Sequence, residues 1–308
     1  MSLVWKLIKL TRPLNAMLVF AALLVARIII MNYYRPNSVQ PVVNIVDYLV
    51  MILIGMLILG AGNVINDIID YKIDLINKPK KALIPNHISL QKAIRFYYIL
   101  NGIAVLMSLY LVIKYNVLFS FIIPFLAILI LYVYSKYLKK SFFLGNFTIA
   151  LLCGALSLVG FWVERSNLLI LKPAHVSEYN VLIYSFVCIG VFCFLLVLNR
   201  ELIKDCEDVE GDRSQGAHTL PIVLGLKWSN RIIFFYFILY AIVFTILNII
   251  RIKEIYNVNI IICTIIYLIV FVFGIAWVYR KYQGKRLYSA LSALVKLYLV
   301  LGLILMLF

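Results

Sequence analysis

The chain has 308 residues, 65% of them apolar and 14% charged, with a mean hydropathy of +1.02. Soluble domains average nearer half apolar and a quarter charged. An ordinary soluble enzyme is therefore excluded, and a polytopic membrane protein fits, each span needing roughly 20 mostly apolar residues. The net charge of +16 does not call for a nucleic-acid partner, because basic residues gather at the cytoplasmic ends of spans beside anionic lipid.

Apolar runs predict nine helices, at about 13–34, 42–66, 91–113, 117–135, 142–163, 180–200, 230–250, 258–279 and 287–307. Lys6, Lys9 and Arg12 precede the first, as in a signal peptide, but its apolar core is too long and lacks a small-residue cleavage site. Basic residues set the orientation. The N-terminus and the segments after the second, fourth, sixth and eighth helices carry 21 of the 29 Lys and Arg residues. The positive-inside rule puts that side, with the N-terminus, in the cytoplasm of a multi-pass cell-membrane protein. Lys296 stands in the middle of the ninth helix, where a charge costs a few kcal/mol unless it meets water or a partner, so it is expected to face an internal cavity. Arg27 lies nearer a helix end and is expected to snorkel. The five cysteines form no CxxC pair, and four read as small core residues.

The acidic residues are more informative. Nine of the 13 fall in two short windows, both on the basic side. In the first, Asn66, Asp70 and Asp74 recur at i, i+4 and i+8, and Asp67 joins them through its i+3 neighbour. In the second, Glu201, Asp205, Asp208 and Asp212 form another single stripe. Two solvated helix ends would not line up their acids on one face against Ile and Val on the other, since stacked like charges cost a few tenths of a kcal/mol per pair. Carboxylate and amide oxygens suit hard cations, and Mg²⁺ uses one or two carboxylates plus substrate phosphates. The two stripes are thus expected to hold Mg²⁺ with a diphosphate between them. A site at the membrane surface above apolar helices suits a substrate with a diphosphate head and a hydrocarbon tail.

Asn66-Asp67-xx-Asp70-xxx-Asp74 together with Asp205-xx-Asp208-xxx-Asp212 resembles the paired aspartate motifs of the UbiA-type intramembrane prenyltransferase superfamily. Tyr132-Val133-Tyr134-Ser135-Lys136 resembles that family's YxxxK element, with Tyr132 and Lys136 in its two positions, and Arg12-Pro13-Leu14-Asn15 resembles its approach to helix 1. Asn77-Lys78-Pro79 also fits, although Lys80, Lys81 and Ala82 stand where an Arg-Pro commonly follows. The resemblance implies an all-α fold. Nine transmembrane helices would surround a central cavity under a cytoplasmic cap from the 2–3 and 6–7 loops, with residues 1–308 as one domain. It also implies Mg²⁺-dependent prenyl transfer. Asp70, Asp74, Asp208 and Asp212 would hold the metal, assisted by Asn66, Asp67 and Asp205. Lys136, Lys72, Lys204 and Arg213 would meet phosphate, and Tyr132 and Asn15 would line the carbocation side.

The stretch Arg200–Arg213, followed by Thr219-Leu220-Pro221, is most similar to archaeal digeranylgeranylglyceryl phosphate synthases. This implies geranylgeranyl diphosphate as donor and geranylgeranylglyceryl phosphate as acceptor. An aromatic acceptor such as 4-hydroxybenzoate is the main competing reading. A transporter would place its charges near the bilayer midplane on broken helices, whereas these acids sit at helix ends.

Overall fold

The computed structural model describes residues 2–37, 39–77, 79, 82–173, 176–214, 216–255 and 258–307. Lys78, Lys80 and Lys81, three of the basic residues after the second span, lie outside the described residues. Among the described residues the secondary structure is entirely helical. The main elements are α1 (Leu3–Leu10), α2 (Pro13–Tyr34), α3 (Ile45–Asn77), α4 (Leu90–Tyr115), α5 (Phe119–Lys136), α6 (Leu144–Ala155), α7 (Leu158–Leu171), α8 (Val176–Ser214), α9 (Leu220–Ile255), α10 (Val258–Lys281) and α11 (Gly284–Leu305). Among the described residues, nine spans are long and apolar enough to cross a bilayer, with α6 and α7 together making the fifth.

The expected spans are all present, with three differences that share one cause. Hydropathy marks where apolar residues stop, not where hydrogen-bonded helix stops. First, α3 and α8 run on past their apolar stretches, to Asn77 and Ser214. The long segment expected after the sixth span is therefore mostly helix, and the cap is built from helix extensions more than from loops. Second, α9 starts at Leu220 and bends at Gly225, whose φ of 79° lies in the left-handed region that favours glycine. Third, a short helix, α1, precedes the first span. Ser2 caps it, and Leu3, Val4, Trp5 and Ile8 are exposed on it, as in a helix that rests at a membrane interface.

Close packing brings two elements of the later site together. A Cβ on Gly154 of α6 would stand 2.8 Å from the Gly190 carbonyl oxygen of α8, so these helices touch backbone to backbone. Such small-residue contacts replace the hydrophobic drive that lipid removes. Arg27 does not snorkel. It is buried in α2 and pairs at 2.8 Å with Glu164 of α7, because a carboxylate in the low-dielectric interior holds it more firmly than the distant interface does.

Candidate active site

The extension of α8 carries the site. At about 100° per residue, Lys204, Asp208, Glu201 and Asp212 fall on one stripe, flanked by Arg200 on one edge and Asp205 on the other. All six line a cavity of about 1340 Å³ of open space, the solvent at its mouth included. Asn15 of α2, Asn63 and Asn66 of α3, Tyr134 of α5, and Lys296 of α11 line the same cavity.

Each acid there has a geometric reason for its place. Asp70 is buried and ion-paired with Lys139, in the short link between α5 and α6. Asp67 pairs with Arg12 at 2.6 Å. Arg12 itself has φ 53°, a left-handed conformation that costs a non-glycine residue about 1–2 kcal/mol. Two contacts hold it there. Pro13 opens α2 directly after it, and Asn63 donates to the Thr11 carbonyl at 3.0 Å. Asp205 accepts from Asn146 at 2.7 Å across the α6–α8 contact. Arg200 meets Glu201 at 2.5 Å.

Burial alone would lower the Lys139 pKa, but the Asp70 carboxylate, with Asp212 beyond it, more than offsets this and the pKa is raised. Burial likewise works against Arg12, and Asp67, supported by Asp74 and Glu201, raises its pKa on balance. Both groups are fixed cations at the cavity mouth.

Among the described residues no three His, Cys, Asp or Glu groups lie close enough to form a ready-made metal cage. Mg²⁺ needs none, since it keeps several waters and completes its octahedron with substrate phosphate. The donor set is all hard oxygen, and it includes the buried Asn66 Oδ1, which has no hydrogen-bond partner. Such a set fits Mg²⁺ and not zinc.

Beside this polar chamber lies a second one of about 1360 Å³ of open space, which shares Val19, Leu131, Ile149, Cys153 and Leu156 with it. Its lining is apolar apart from Ser120, and it ends near Phe119 and Trp162.

Residues 34–300 match the UbiA prenyltransferase family. The chain belongs to that family. It is 29% identical over 282 residues to the digeranylgeranylglyceryl phosphate synthase of Methanosphaera stadtmanae, covering 91% of this chain and 88% of that protein. A solved structure concerned with digeranylgeranylglyceryl phosphate synthase superposes with a TM-score of 0.59 at 27% identity, covering 100% and 98% of the two chains. A UbiA homologue from Archaeoglobus fulgidus, solved bound to GPP and Mg²⁺, shares the fold with a TM-score of 0.58 at 15% identity, covering 96% and 99%. This protein is thus an intramembrane prenyltransferase.

The prenyltransferase brings only some of the predicted residues to the cavity wall. Asn15, Asn66, Lys204, Asp205, Asp208 and Asp212 line it. Asp70 reaches it through Lys139, and Asp67 through Arg12. Asp74 is half-buried one turn further along α3, coupled to Arg12. Four predicted phosphate or cation contacts are not brought to the wall. Lys72 and Arg213 are exposed, and Lys72 lies over the Tyr71 ring. Tyr132 and Lys136 face outward, with the Lys136 ammonium over the Tyr132 and Tyr137 rings. The reason is helical phase. On α5 the inward position belongs to Tyr134, and the chain leaves the helix so that Lys139, not Lys136, turns back to Asp70. Sequence reasoning missed Lys139, Arg12, Asn63 and Asn146 as site residues. Asn63 carried a local signal, one turn before Asn66 on the same face, and Arg12 carried one as part of the approach to helix 1.

Proposed function

We propose that this prenyltransferase moves a geranylgeranyl group from geranylgeranyl diphosphate to geranylgeranylglyceryl phosphate, forming the second ether bond of an archaeal lipid. The single observation that carries the reading is the pair of joined chambers, one charged and one apolar, which suits a diphosphate head and a long hydrocarbon tail. The relatives' name, digeranylgeranylglyceryl phosphate synthase, is that of a synthase of this reaction's product and supports the reading.

The allylic C–O bond breaks with its electron pair leaving on diphosphate. The hydroxyl oxygen of the acceptor then bonds to the allylic carbon, and its proton passes to a diphosphate oxygen or a cavity carboxylate. Asn66, Asp70, Asp208 and Asp212, with Asp67, Asp74 and Asp205 around them, would hold Mg²⁺. When bound, the metal supplies positive charge that neutralises the leaving group. Lys139 adds a fixed ammonium at the same place, and such preorganised charge is usually the largest catalytic term. The apolar second chamber keeps water from the cation. Residues 1–308 act as one membrane domain, with the N-terminus and this mouth on the cytoplasmic side, as the basic residues suggest.

The test uses purified protein, Mg²⁺, geranylgeranyl diphosphate and a panel of acceptors, with products read by mass spectrometry. Ether formation on geranylgeranylglyceryl phosphate is expected. Preferential prenylation of 4-hydroxybenzoate would overturn the acceptor.

A further inference from the structure

The cavity has two lobes of opposite character. The acidic lobe holds Asp205, Asp208 and Asp212, with Asp70 reached through Lys139. The other lobe gathers Arg200 and Lys204 from α8 and Lys296 from α11, with Glu201 beside them and Asp208 one turn further along α8 from Lys204. Arg200 lies within electrostatic reach of both lysines, and so does Arg12.

The lobes meet at Lys204 and Asp205 and spread apart along α8. Arg200 precedes Asp212 by twelve residues of continuous helix, about 18 Å along the axis at 1.5 Å per residue. Lys296 lies twelve residues from the start of α11 and nine from its end, near the middle of a span. A lone charge there is unfavourable. Placing it beside a second lysine and an arginine makes matters worse, unless an anion arrives. Arg12 is neutralised by Asp67, and Glu201 offsets one charge. Arg200, Lys204 and Lys296 stand against Glu201, and Asp208 also acts on Lys204, so the surplus is one positive charge while Asp208 holds no metal and two once a metal takes it up. Arg200 Nε is also buried without a hydrogen-bond partner.

A phosphate monoester carries about −1.5 to −2 at pH 7, whereas an aromatic carboxylate carries one charge. We propose that Arg200, Lys204 and Lys296 form a separate phosphate-monoester subsite that seats the head of the acceptor, deep in the membrane and apart from the diphosphate lobe. This rests on the lipid-acceptor reading above and adds the residues that select that acceptor.

The test compares wild type with Lys296→Met and Lys296→Arg, each as full-length protein in detergent. Calorimetric binding of geranylgeranylglyceryl phosphate is measured in EDTA, so that the diphosphate lobe is metal-free, and steady-state constants are measured in Mg²⁺. Lys296→Met is expected to weaken acceptor binding and raise the acceptor KM at least about tenfold, the scale of a lost charge-assisted hydrogen bond, with the donor KM within twofold. Lys296→Arg should restore most of the binding, which a merely structural lysine would not show. Inorganic phosphate should compete with acceptor in wild type and much less in Lys296→Met. If Lys296→Met raises the donor KM and leaves acceptor binding unchanged, the subsite is wrong while the function stands. If wild type prenylates an aromatic acid and not the glyceryl phosphate, the function and the subsite fall together.

Discussion

The two ends of this helical bundle bury similar charges to opposite effect. At the end away from the acidic motifs, Glu164 is fully buried, and its two oxygens accept from Arg27 at 2.8 Å, from the Val42 and Val43 amides at 2.7 and 3.2 Å, and from the Tyr34 hydroxyl at 3.2 Å. The second Arg27 nitrogen donates to the Val43 carbonyl at 2.6 Å. Nearby, Asp47 accepts from Lys114 at 2.5 Å, Tyr115 at 2.5 Å, Asn44 at 2.8 Å and Tyr110 at 3.0 Å. These oxygens have little capacity left. At the other end, the pairs Arg12–Asp67, Lys139–Asp70 and Arg200–Glu201 stand around open space, and Asn66 Oδ1 and Arg200 Nε have no partner. A carboxylate filled by protein donors ties helices together. One that faces a cavity with capacity to spare is available to a ligand.

That contrast is broken most severely by removing the metal. Chelation with EDTA is expected to abolish prenyl transfer and leave the folded end untouched, with added Mg²⁺ restoring product formation by mass spectrometry. Full turnover in chelator would mean that the cavity oxygens serve some other purpose. Next in size, Asp208→Asn and Lys139→Met should each lower kcat at least about a hundredfold, the scale of a lost transition-state charge. Circular dichroism and gel filtration should be unchanged. The raised pKa values of Lys139 and Arg12 keep both groups charged up to and beyond the ordinary Lys and Arg values. The stabilisation that comes from these raised values is fully present below the ordinary Lys and Arg values and is lost as pH rises through the higher folded ones.

The closed end should respond in the other currency. Glu164→Gln leaves Arg27 buried without a counter-charge, which costs about 3–5 kcal/mol. The expected result is a large fall in the melting temperature of the detergent-solubilised protein, with the KM of donor and acceptor unchanged in the fraction that remains folded. A normal melting temperature with an altered KM would place Glu164 in communication with substrate, and the division between the ends would fail.

The sequence showed the two ends unequally. The nine spans follow from hydropathy alone, and the acidic stripes from helical spacing, because both signals are local. Glu164 and Asp47 gave no such signal. Each is one acid in an apolar run, and its distant partners come from 63 to 68 residues away for Asp47 (Tyr110, Lys114 and Tyr115) and from 121 or more for Glu164 (Arg27, Tyr34, Val42 and Val43). Lys139 was hidden for a related reason. In sequence it is one of several lysines at a basic helix end, indistinguishable from topology-setting charge. Its role appears only when the link after α5 folds back toward Asp70. Asn146 depends on the glycine contact between α6 and α8, which no spacing rule reveals. Helix phase is what keeps Tyr132 and Lys136 off the cavity wall, since a motif match says which residues are present, not which way a helix has turned by the time it reaches them.

The smallest expected effect concerns that phase. Lys136 and Lys139 are three residues apart at the end of α5, but Lys136 is exposed and lies over the Tyr132 and Tyr137 rings, whereas Lys139 pairs with Asp70. An exposed cation–π contact is worth about 0.5–1 kcal/mol, and it touches nothing that lines the cavity. Lys136→Ala should therefore change kcat/KM less than about twofold, against the hundredfold loss for Lys139→Met, when both are measured on the same substrate pair. The resemblance of Tyr132-xxx-Lys136 to the family's YxxxK element makes the opposite forecast. If Lys136→Ala proves the more damaging variant, α5 must rotate when substrate binds so that Lys136 replaces Lys139 beside Asp70, and the pairing seen here would describe a resting state of the site.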